Sequence, residues 1–435
     1  MRHCDLTLAY TETSGGIRTY IDAKRRHIQQ HTDDEHVLIV PGAEDRITRE
    51  GRLTRIEIRS PLIPGCHPYR FFTRPHRVLR ALRQAAPDTV ELGSFFTCPW
   101  AALRYRAARR STGRPMVVSA YFHTDIASAY AGAPVAQALA GLPWHWGRRM
   151  GGIAETMARR LFGGIFRRCD LTLAATAQQA DRLRQYGITG TYILPLGVDT
   201  ALFHPRHRDP EWRSALGVGP EDILLLYCGR LDGEKDVLTL ARAFECLQQR
   251  VPADGPRFVL ALMGAGPHRP ALEARTRDLP GLVLLDYESD RSAYARALAS
   301  ADIYVTAGPH ETFGLSVVEA QASGLPVVGV EAGALKEHVR PDRGRLGPVG
   351  DAGAMAAHIR EVAREHRTLG AAARRHVLAS GYAWDQTLDR LLALYDGALD
   401  TRPAKRPGPG HRGDRAWDDP HASTPRTAHG SDIAS

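Results

Sequence analysis

Two short segments of this sequence place basic side chains and glycines where an anionic ligand could bind. In the first, Cys228–Lys235, the cations of Arg230 and Lys235 follow an apolar run that predicts a buried strand. Two fixed cations at the end of a strand can neutralise negative charge that builds up on a departing diphosphate. A simpler interpretation is a surface ion pair of Arg230 with Asp232 or Glu234.

The second segment, Gly308–Ala320, joins another apolar run to a predicted helix and carries two carboxylates eight residues apart. Glu311 precedes the helix and Glu319 lies inside it, so both could face one ligand and accept hydrogen bonds from vicinal hydroxyls. The free backbone N–H groups at 313–316 favour an anion such as a diphosphate, which Gly314 allows to approach closely. Alternatively, Glu311 only caps the helix and Glu319 is solvated.

Two glycines near the N-terminus, Gly15 and Gly16, stand between the first predicted strand and a helix. They would let the backbone of the N-terminal half come close to a phosphate held by the C-terminal half. A simple tight turn would explain the same residues.

Strands must hold these segments in place, and the sequence alternates short β-branched apolar runs with helical patterns. This alternation predicts an α/β fold of doubly wound parallel sheets, and 435 residues are enough for two such domains. Ligands of such sheets lie beyond the carboxyl ends of the strands, where both charged segments stand. The expected strands are Leu6–Tyr10, Val37–Val40, Arg55–Ile58, Thr89–Leu92, Met116–Tyr121, Leu171–Ala174, Tyr192–Leu194, Ile223–Tyr227, Phe258–Met263, Val283–Leu285, Ile303–Thr306 and Val327–Val330.

Domain limits follow from composition. Prolines and a glycine interrupt any regular element between Pro195 and Asp209, which indicates a linker. We therefore expect an N-terminal domain of residues 1–195 and a C-terminal, ligand-binding domain of residues 196–383. The segment 401–435 has almost no apolar residues and is expected to be disordered.

Charge is distributed unevenly along the chain. Residues 1–195 carry 28 Lys and Arg against 16 Asp and Glu, a net +12, whereas residues 196–400 carry 23 against 28, a net −5. A basic half could face a nucleic acid, an anionic membrane or a phosphorylated substrate, or it could be a solvated arginine-rich surface. The mixed arginine and apolar segment 148–168 fits either a helix on a membrane surface or a domain helix with its apolar side in the core.

The sequence gives no sign of a metal site or of a membrane span. The six cysteines form no C-x-x-C pair, no D-x-D pair occurs, and no run of about 18 apolar residues exists. We therefore expect no metal cofactor and a cytoplasmic protein, either free or peripheral on the inner face of the membrane.

The two charged segments together resemble family 4 of the retaining glycosyltransferases, which have the GT-B fold of two Rossmann-like domains facing a central cleft. The G-R-L-x-x-x-K motif stands at 229–235 and the E-x7-E motif, with its F-G-L centre, at 311–319. The resemblance covers residues 1–400. It implies a nucleotide diphosphate sugar as donor, a lipid or glycan as acceptor, and no nucleic-acid partner. It also implies that a helix at about 384–400 packs back on the N-terminal domain.

The resemblance assigns roles to single residues. Arg230 and Lys235 would bind the donor diphosphate, Glu311 the hydroxyls of the transferred sugar, and Glu319 the ribose. The remaining donor contacts would be the backbone of Phe313, Gly314 and Leu315 at the phosphate, Gly16 on the opposite side, and Tyr287 near the base, where Asp286 stands in place of the family's glycine.

One N-terminal segment resembles a narrower group. Tyr121–Asp125 is similar to the F-H-T-D segment of bacterial mannosyl- and sulfoquinovosyl-transferases that act on lipids. This likeness implies that His123 lies near the anomeric carbon, and it favours GDP-mannose as the donor. Two alternatives share the fold, a nucleotide-sugar epimerase and a non-catalytic nucleotide-sugar binder. The E-x7-E segment disfavours the first, and the intact set of Arg230, Lys235, Glu311 and Glu319 disfavours the second.

Overall fold

Two β-sheets, one in each half of the chain, organise the protein in the computed structural model. It describes residues 1–11, 15–63, 68–123, 144–249 and 255–400, with the backbone alone for 144–149. The strands are β1 (Arg2–Leu6), β2 (Glu35–Gly42), β3 (Arg46–Glu50), β4 (Leu53–Arg59), β5 (Thr89–Leu92), β6 (Val117–Tyr121), β7 (Leu171–Ala174), β8 (Thr191–Ile193), β9 (Ile223–Cys228), β10 (Phe258–Met263), β11 (Leu282–Leu285), β12 (Ile303–Val305), β13 (Val327–Val330) and β14 (Gly344–Gly347).

Helices follow most of the strands, as expected for doubly wound sheets. They are α1 (Gly16–His31), α2 (Pro75–Ala85), α3 (Cys98–Ser111), α4 (Trp144–Phe166), α5 (Ala177–Gln185), α6 (Pro210–Ala215), α7 (Val237–Gln248), α8 (Arg269–Thr276), α9 (Arg291–Ser300), α10 (Leu315–Ala322), α11 (Leu335–His338), α12 (Ala352–Ala379) and α13 (Trp384–Asp400), with a short 3₁₀ turn at Pro205–His207. Among the described residues, no helix is both long enough and apolar enough to cross a bilayer.

The first sheet has the strand order β3-β4-β2-β1-β5-β6-β7-β8 and the second has β11-β10-β9-β12-β13-β14. All neighbours run parallel except β3 and β4, which are antiparallel at the edge of the first sheet. Strand β9 is buried along its whole length between β10 and β12. The loop that follows β9 therefore starts from a rigid central position, and the loop after β12 leaves the same sheet edge.

The last helix, α13, returns to the first sheet. The Tyr395 hydroxyl donates to the Glu91 carboxylate at 2.6 Å and lies 3.1 Å from the Ser119 hydroxyl, with all three groups buried. Thr387 donates to the Pro195 carbonyl at the other end of the helix. Buried polar contacts of this kind hold a helix in one orientation, because an unpaired partner would be costly.

The doubly wound α/β class is confirmed, with three differences in the strands. The expected strand Leu6–Tyr10 is wrong, because the first strand is Arg2–Leu6, which hydrogen-bonds to β2 and β5 before the chain leaves the sheet. Strands β3 and β14 were not expected, since Arg46–Glu50 is polar and wholly exposed and Gly344–Gly347 begins and ends with glycine. Our domain limits at 195 and 383 remain predictions, and residues 401–435 lie outside the described residues.

Candidate functional site

The loop after β9 is fixed by the strand before it and by a neighbouring glycine-rich loop. The Tyr227 hydroxyl donates to the Arg230 carbonyl at 2.8 Å, and the Leu231 amide donates to the Ala265 carbonyl at 2.9 Å. A Cβ atom at Gly264 would lie 1.9 Å from the Gly229 carbonyl oxygen. Only glycine allows this approach, so the two loops support each other at the carboxyl edge of the sheet.

Arg230 is paired with carboxylates of its own loop. Its guanidinium contacts Asp232 and donates to Glu234 at 2.6 Å, while its side chain is 55% exposed. The structure thus shows the simple ion pair that the sequence left open. Because an exposed ion pair of this kind contributes little free energy, the guanidinium can exchange its partners for a ligand phosphate at small cost.

Lys235 and Glu311 are brought together from different loops. The Lys235 ammonium donates to the Glu311 carboxylate at 2.5 Å, and both side chains are mostly buried, 18% and 14% exposed. The Lys235 amide donates to Asp232, and the Glu311 carbonyl accepts from the Ala334 amide at 2.9 Å. Both backbones are therefore anchored, and the ion pair lies between the loop after β9 and the loop after β12.

The start of α10 presents its first backbone N–H groups without a side-chain cap. Gly314 precedes the helix with φ +77°, a left-handed conformation that glycine adopts without strain. The buried His338 ring donates from Nε2 to the Phe313 carbonyl at 2.6 Å and packs edge-to-face on the Phe313 ring. Burial lowers the pKa of His338 to about 4. A neutral imidazole thus fixes the backbone just before the helix.

Glu319, in the second turn of α10, points at Arg291 rather than at solvent. The Arg291 guanidinium contacts the Glu319 carboxylate and stacks over the Phe203 ring at 4.9 Å. Only 4% of the Glu319 side chain is exposed, and burial raises its pKa while Arg291 opposes the shift. The carboxylate is therefore held by one cation and by a hydrogen bond from Tyr294, and any ligand hydroxyl at Glu319 would have to replace or join Arg291.

The N-terminal half approaches this site at Gly16. A Cβ atom at Gly16 would lie 3.9 Å from the Leu315 side chain, so the first turn of α1 meets the first turn of α10. One turn further along α1, the Tyr20 ring lies 5.3 Å from the His123 ring, which stacks on Tyr121 at 4.1 Å. Two helix N-termini with their partial positive charges converge here, which favours an anion.

His123 is held as a neutral imidazole. Burial lowers the pKa of His123 to about 3, and the nearby Lys24 ammonium adds to this shift while Asp5 opposes it. Lys24 itself is buried against Asp5 and Glu91 at 2.9 Å each. Of the segment Tyr121–Asp125, residues 124 and 125 lie outside the described residues.

Tyr287 lies apart from these ion pairs, on an exposed loop after β11. Its side chain is 49% exposed, and the neighbouring Asp286 pairs with Arg269 at 2.9 Å. Sequence reasoning did not identify Arg291 or His338. The polar sequence around each residue carries no motif that singles it out, because the importance of each depends on the partner, Glu319 or Phe313, that the fold brings to it.

Solved structures with the same arrangement of two sheets establish the class of fold. Sucrose-phosphate synthase from Thermosynechococcus elongatus superposes with a TM-score of 0.70 at 18% identity, covering 91% of this chain and 98% of that one. Anabaena HepE in complex with UDP and glucose superposes with a TM-score of 0.65 at 15% identity, covering 91% and 99%. The chain therefore has the GT-B fold of glycosyltransferases.

Sequence relatives establish the family. Residues 14–202 match the model for Glycosyltransferase Family 4, and residues 222–365 match the model for Glycosyl transferases group 1. A GDP-mannose-dependent alpha-(1-6)-phosphatidylinositol dimannoside mannosyltransferase of Mycobacterium tuberculosis is 30% identical, covering 92% of this chain and 98% of the relative. A GDP-mannose-dependent alpha-mannosyltransferase of Mycolicibacterium smegmatis is 33% identical, covering 75% and 78%. The chain belongs to glycosyltransferase family 4 and is a glycosyltransferase, which confirms the resemblance.

Proposed function

We propose that this enzyme transfers mannose from GDP-mannose, with retention of anomeric configuration, to a glycolipid at a membrane surface. The observation that carries the proposal is the Lys235–Glu311 pair beside the uncapped start of α10, in a chain that aligns with nearly the whole length of a mannosyltransferase. The cation suits a diphosphate, and the carboxylate suits the hydroxyls of a sugar. The helix N-terminus suits a phosphate.

Each residue then has a task in the proposed reaction. Lys235 and Arg230 neutralise the diphosphate as the bond between it and the anomeric carbon breaks. Glu311 holds hydroxyls of the mannose, and Glu319 holds the ribose once Arg291 gives way. A phosphate oxygen of the leaving group takes the proton from the acceptor hydroxyl, which attacks on the same face. His123, being neutral, offers a hydrogen-bond donor near the anomeric carbon.

The backbone at Phe313, Gly314 and Leu315 supplies N–H groups to the phosphate, and Gly16 brings the N-terminal half close to it. Tyr287 lies on the loop that we assign to the base. In this proposal the donor diphosphate needs no metal ion, because protein cations and helix ends carry its charge. Turnover should therefore continue in EDTA, assayed well below the melting temperature, and should not rise when Mg²⁺ is added back. A strict Mg²⁺ requirement would contradict this part.

A panel of donors tests the substrate. The enzyme is incubated with phosphatidylinositol mannosides, mycobacterial or synthetic, and with one donor at a time: GDP-mannose, GDP-glucose, UDP-glucose or UDP-galactose. The linkage of the product is determined by NMR. We expect transfer from GDP-mannose with an α-linkage, and at most slow transfer from UDP-sugars. A UDP-sugar as the preferred donor, or a β-linked product, would refute the proposal.

The acceptor side of the proposal rests on an apolar surface of α4. Ile153, Met157 and Leu161 recur every four residues on one side of the helix and are 47%, 67% and 65% exposed. The other side carries Phe162 and Phe166, which are buried in the core of the first sheet. The helix thus has both an inward and an outward apolar face, and the outward face suits insertion into a bilayer interface.

Exposed aromatic and basic side chains lie on α4 and on the segment that packs against it. The half-exposed ring of Phe96 lies 6.2 Å from the Phe162 ring, and Trp100, 48% exposed, stands four residues further on in the first turn of α3. Among the arginines of α4 and its end, Arg159 pairs with Glu155, whereas Arg160 and Arg168 are exposed. Exposed arginines beside an apolar face favour an anionic membrane.

Vesicle binding tests this surface with matched variants. Met157→Ser with Leu161→Ser should weaken binding to anionic vesicles severalfold, and Arg160→Gln with Arg168→Gln should weaken it mainly at low salt. The control is Leu378→Ser on α12, where a leucine is 52% exposed. Donor affinity should be unchanged in all of them. Equal vesicle binding by the wild type and the α4 variants would overturn the membrane assignment.

A further inference from the structure

A cluster of histidines and aspartates joins the first helix to the last one. His27 and His31 lie one turn apart on α1, and Asp385 and Asp389 lie one turn apart on α13. The His27 ring is almost completely buried, while the other three side chains are between half and 70% exposed. The cluster is remote in sequence from the donor motifs and has no part in the proposed reaction.

Both ring nitrogens of His27 face carboxylate oxygens, and a neutral imidazole can donate a hydrogen bond to only one of them. Its Nε2 lies 3.0 Å from an Asp389 oxygen and its Nδ1 lies 3.1 Å from an Asp385 oxygen. A neutral imidazole has one N–H, so if it donates from Nε2 to Asp389, the Nδ1 lone pair faces a carboxylate. Two electron-rich atoms at this distance repel unless a proton or a metal ion lies between them.

A second histidine favours the metal ion over the proton. The His31 Nε2 lies 3.8 Å from the same Asp385 oxygen, and the three ligand atoms of His27, His31 and Asp385 all lie within 4.8 Å of one another. In a tetrahedral zinc site with bonds of about 2.0–2.1 Å, neighbouring ligand atoms are roughly 3.3 Å apart. The Asp385 oxygen lies 3.1 Å from the His27 Nδ1 and 3.8 Å from the His31 Nε2, two separations that bracket that value.

We propose that His27, His31 and Asp385 bind a divalent transition-metal ion of the Zn²⁺ class, with water in the fourth position. Two imidazoles and one carboxylate select Zn²⁺, Co²⁺ or Ni²⁺ over Mg²⁺ and Ca²⁺, which prefer all-oxygen ligands. Asp389 acts as the positioning residue. It accepts from the second nitrogen of His27, an arrangement that fixes the tautomer of a metal-bound histidine.

The ion would cross-link α13 to α1. Ligands come from both helices, so the site is complete only when α13 is docked on the first sheet, and binding should therefore stabilise the docked state. Ion binding here is independent of the proposed donor and acceptor. It concerns a structural ion outside the donor site, and its readouts are affinity and melting temperature rather than turnover.

Calorimetric titration tests the site on the full chain without a histidine tag, after removal of metals by chelation. We expect ZnCl₂ and NiCl₂ to bind with one tight site and to raise the melting temperature by about 3 °C at a hundredfold excess over Kd. His31→Gln and Asp385→Asn change exposed side chains, so they should fold normally. Each should weaken binding at least tenfold, and Asp389→Asn should weaken it about tenfold.

A second histidine pair provides the control for adventitious binding. His204 and His207 lie near each other on the surface, with ring centroids 6.5 Å apart. The double variant His204→Gln, His207→Gln should keep the tight site and the melting shift. If no transition ion raises the melting temperature, or if His31→Gln binds as tightly as the wild type, the proposal is wrong.

Discussion

Replacing Lys235 by methionine tests whether its ammonium binds the donor diphosphate. Methionine keeps much of the apolar stem and removes the charge that lies 2.5 Å from Glu311. A charge-assisted hydrogen bond contributes about 1.5–3 kcal/mol, so losing one to the diphosphate should raise the Kd of GDP by about 10- to 150-fold. Isothermal titration with GDP measures this directly.

Glu311→Gln should affect a different step. The amide keeps the shape of the carboxylate and an acceptor oxygen but removes its negative charge, so the Lys235 ammonium is less neutralised before the diphosphate binds. GDP should therefore bind within about threefold of the wild type or more tightly. Turnover should fall by about 10- to 150-fold, because the amide holds the sugar hydroxyls less strongly. Initial rates at saturating donor, compared with GDP affinity, distinguish the two roles.

Stability supplies an independent measure of the same pair. Each single variant leaves a mostly buried charge without its partner and should cost about 1–3 kcal/mol, whereas the double variant should cost less than the sum. Lys336→Met is the matched control, since Lys336 is 52% exposed and its ion pair with Glu331 is long, at 3.9 Å. If Lys235→Met binds GDP as the wild type does, or if Lys336→Met weakens it equally, the assignment of Lys235 to the diphosphate fails.

Three further variants test how the site is supported. Gly314→Ala forces a side chain into a left-handed conformation at φ +77°, so it should cost about 1–2 kcal/mol in unfolding free energy and lower kcat/KM, and unchanged kinetics would argue against a phosphate at this turn. His338→Leu leaves the buried Phe313 carbonyl without its donor and should weaken GDP binding. The pKa of His338 is lowered to about 4, so as pH falls the unfolded chain takes up a proton on this histidine before the folded chain does. The free energy of unfolding should therefore fall as pH drops from about 6.5 to 4. An equally steep fall in the leucine variant, measured by chemical denaturation, would contradict this. Tyr395→Phe removes the donor to Glu91 and should cost about 1–3 kcal/mol in thermal unfolding, while no change would mean that this bond does not hold α13.

The sequence predicted the buried strands well because burial on both faces leaves a direct trace in composition. Strands such as Phe258–Met263 and Val327–Val330 are runs of apolar residues, and their limits agree with the structure. Strand β3 left no such trace, since every residue of Arg46–Glu50 is exposed and the strand exists through its pairing with β4. Backbone pairing at a sheet edge is a property of the fold rather than of a local pattern.

The sequence predicted where the candidate site residues stand in the fold, but not which side chains pair with each other. The motif residues stand at strand ends and at a helix start, so topology alone brings Lys235 and Glu311 to one edge of the second sheet. Their mutual contact depends on side-chain directions that spacing does not encode. The same holds for Arg291, which lies 28 residues before Glu319 on another helix.

The ion pairs within the site have a consequence for how a donor binds. Arg230 pairs with two carboxylates, and Lys235 pairs with Glu311 and lies 4.0 Å from Glu234. Glu319 is held by Arg291. In the proposed function, a nucleotide sugar therefore exchanges these contacts rather than simply adding to them. The exposed Arg230 can exchange partners at little cost, but Glu319 is 4% exposed and cannot lose its cation without a replacement. In the proposed function, the diphosphate should therefore exchange readily with the partners of Arg230, while a ribose at Glu319 would need hydroxyl donors to offset the movement of Arg291. The net free energy of donor binding should then be smaller than the number of new contacts suggests.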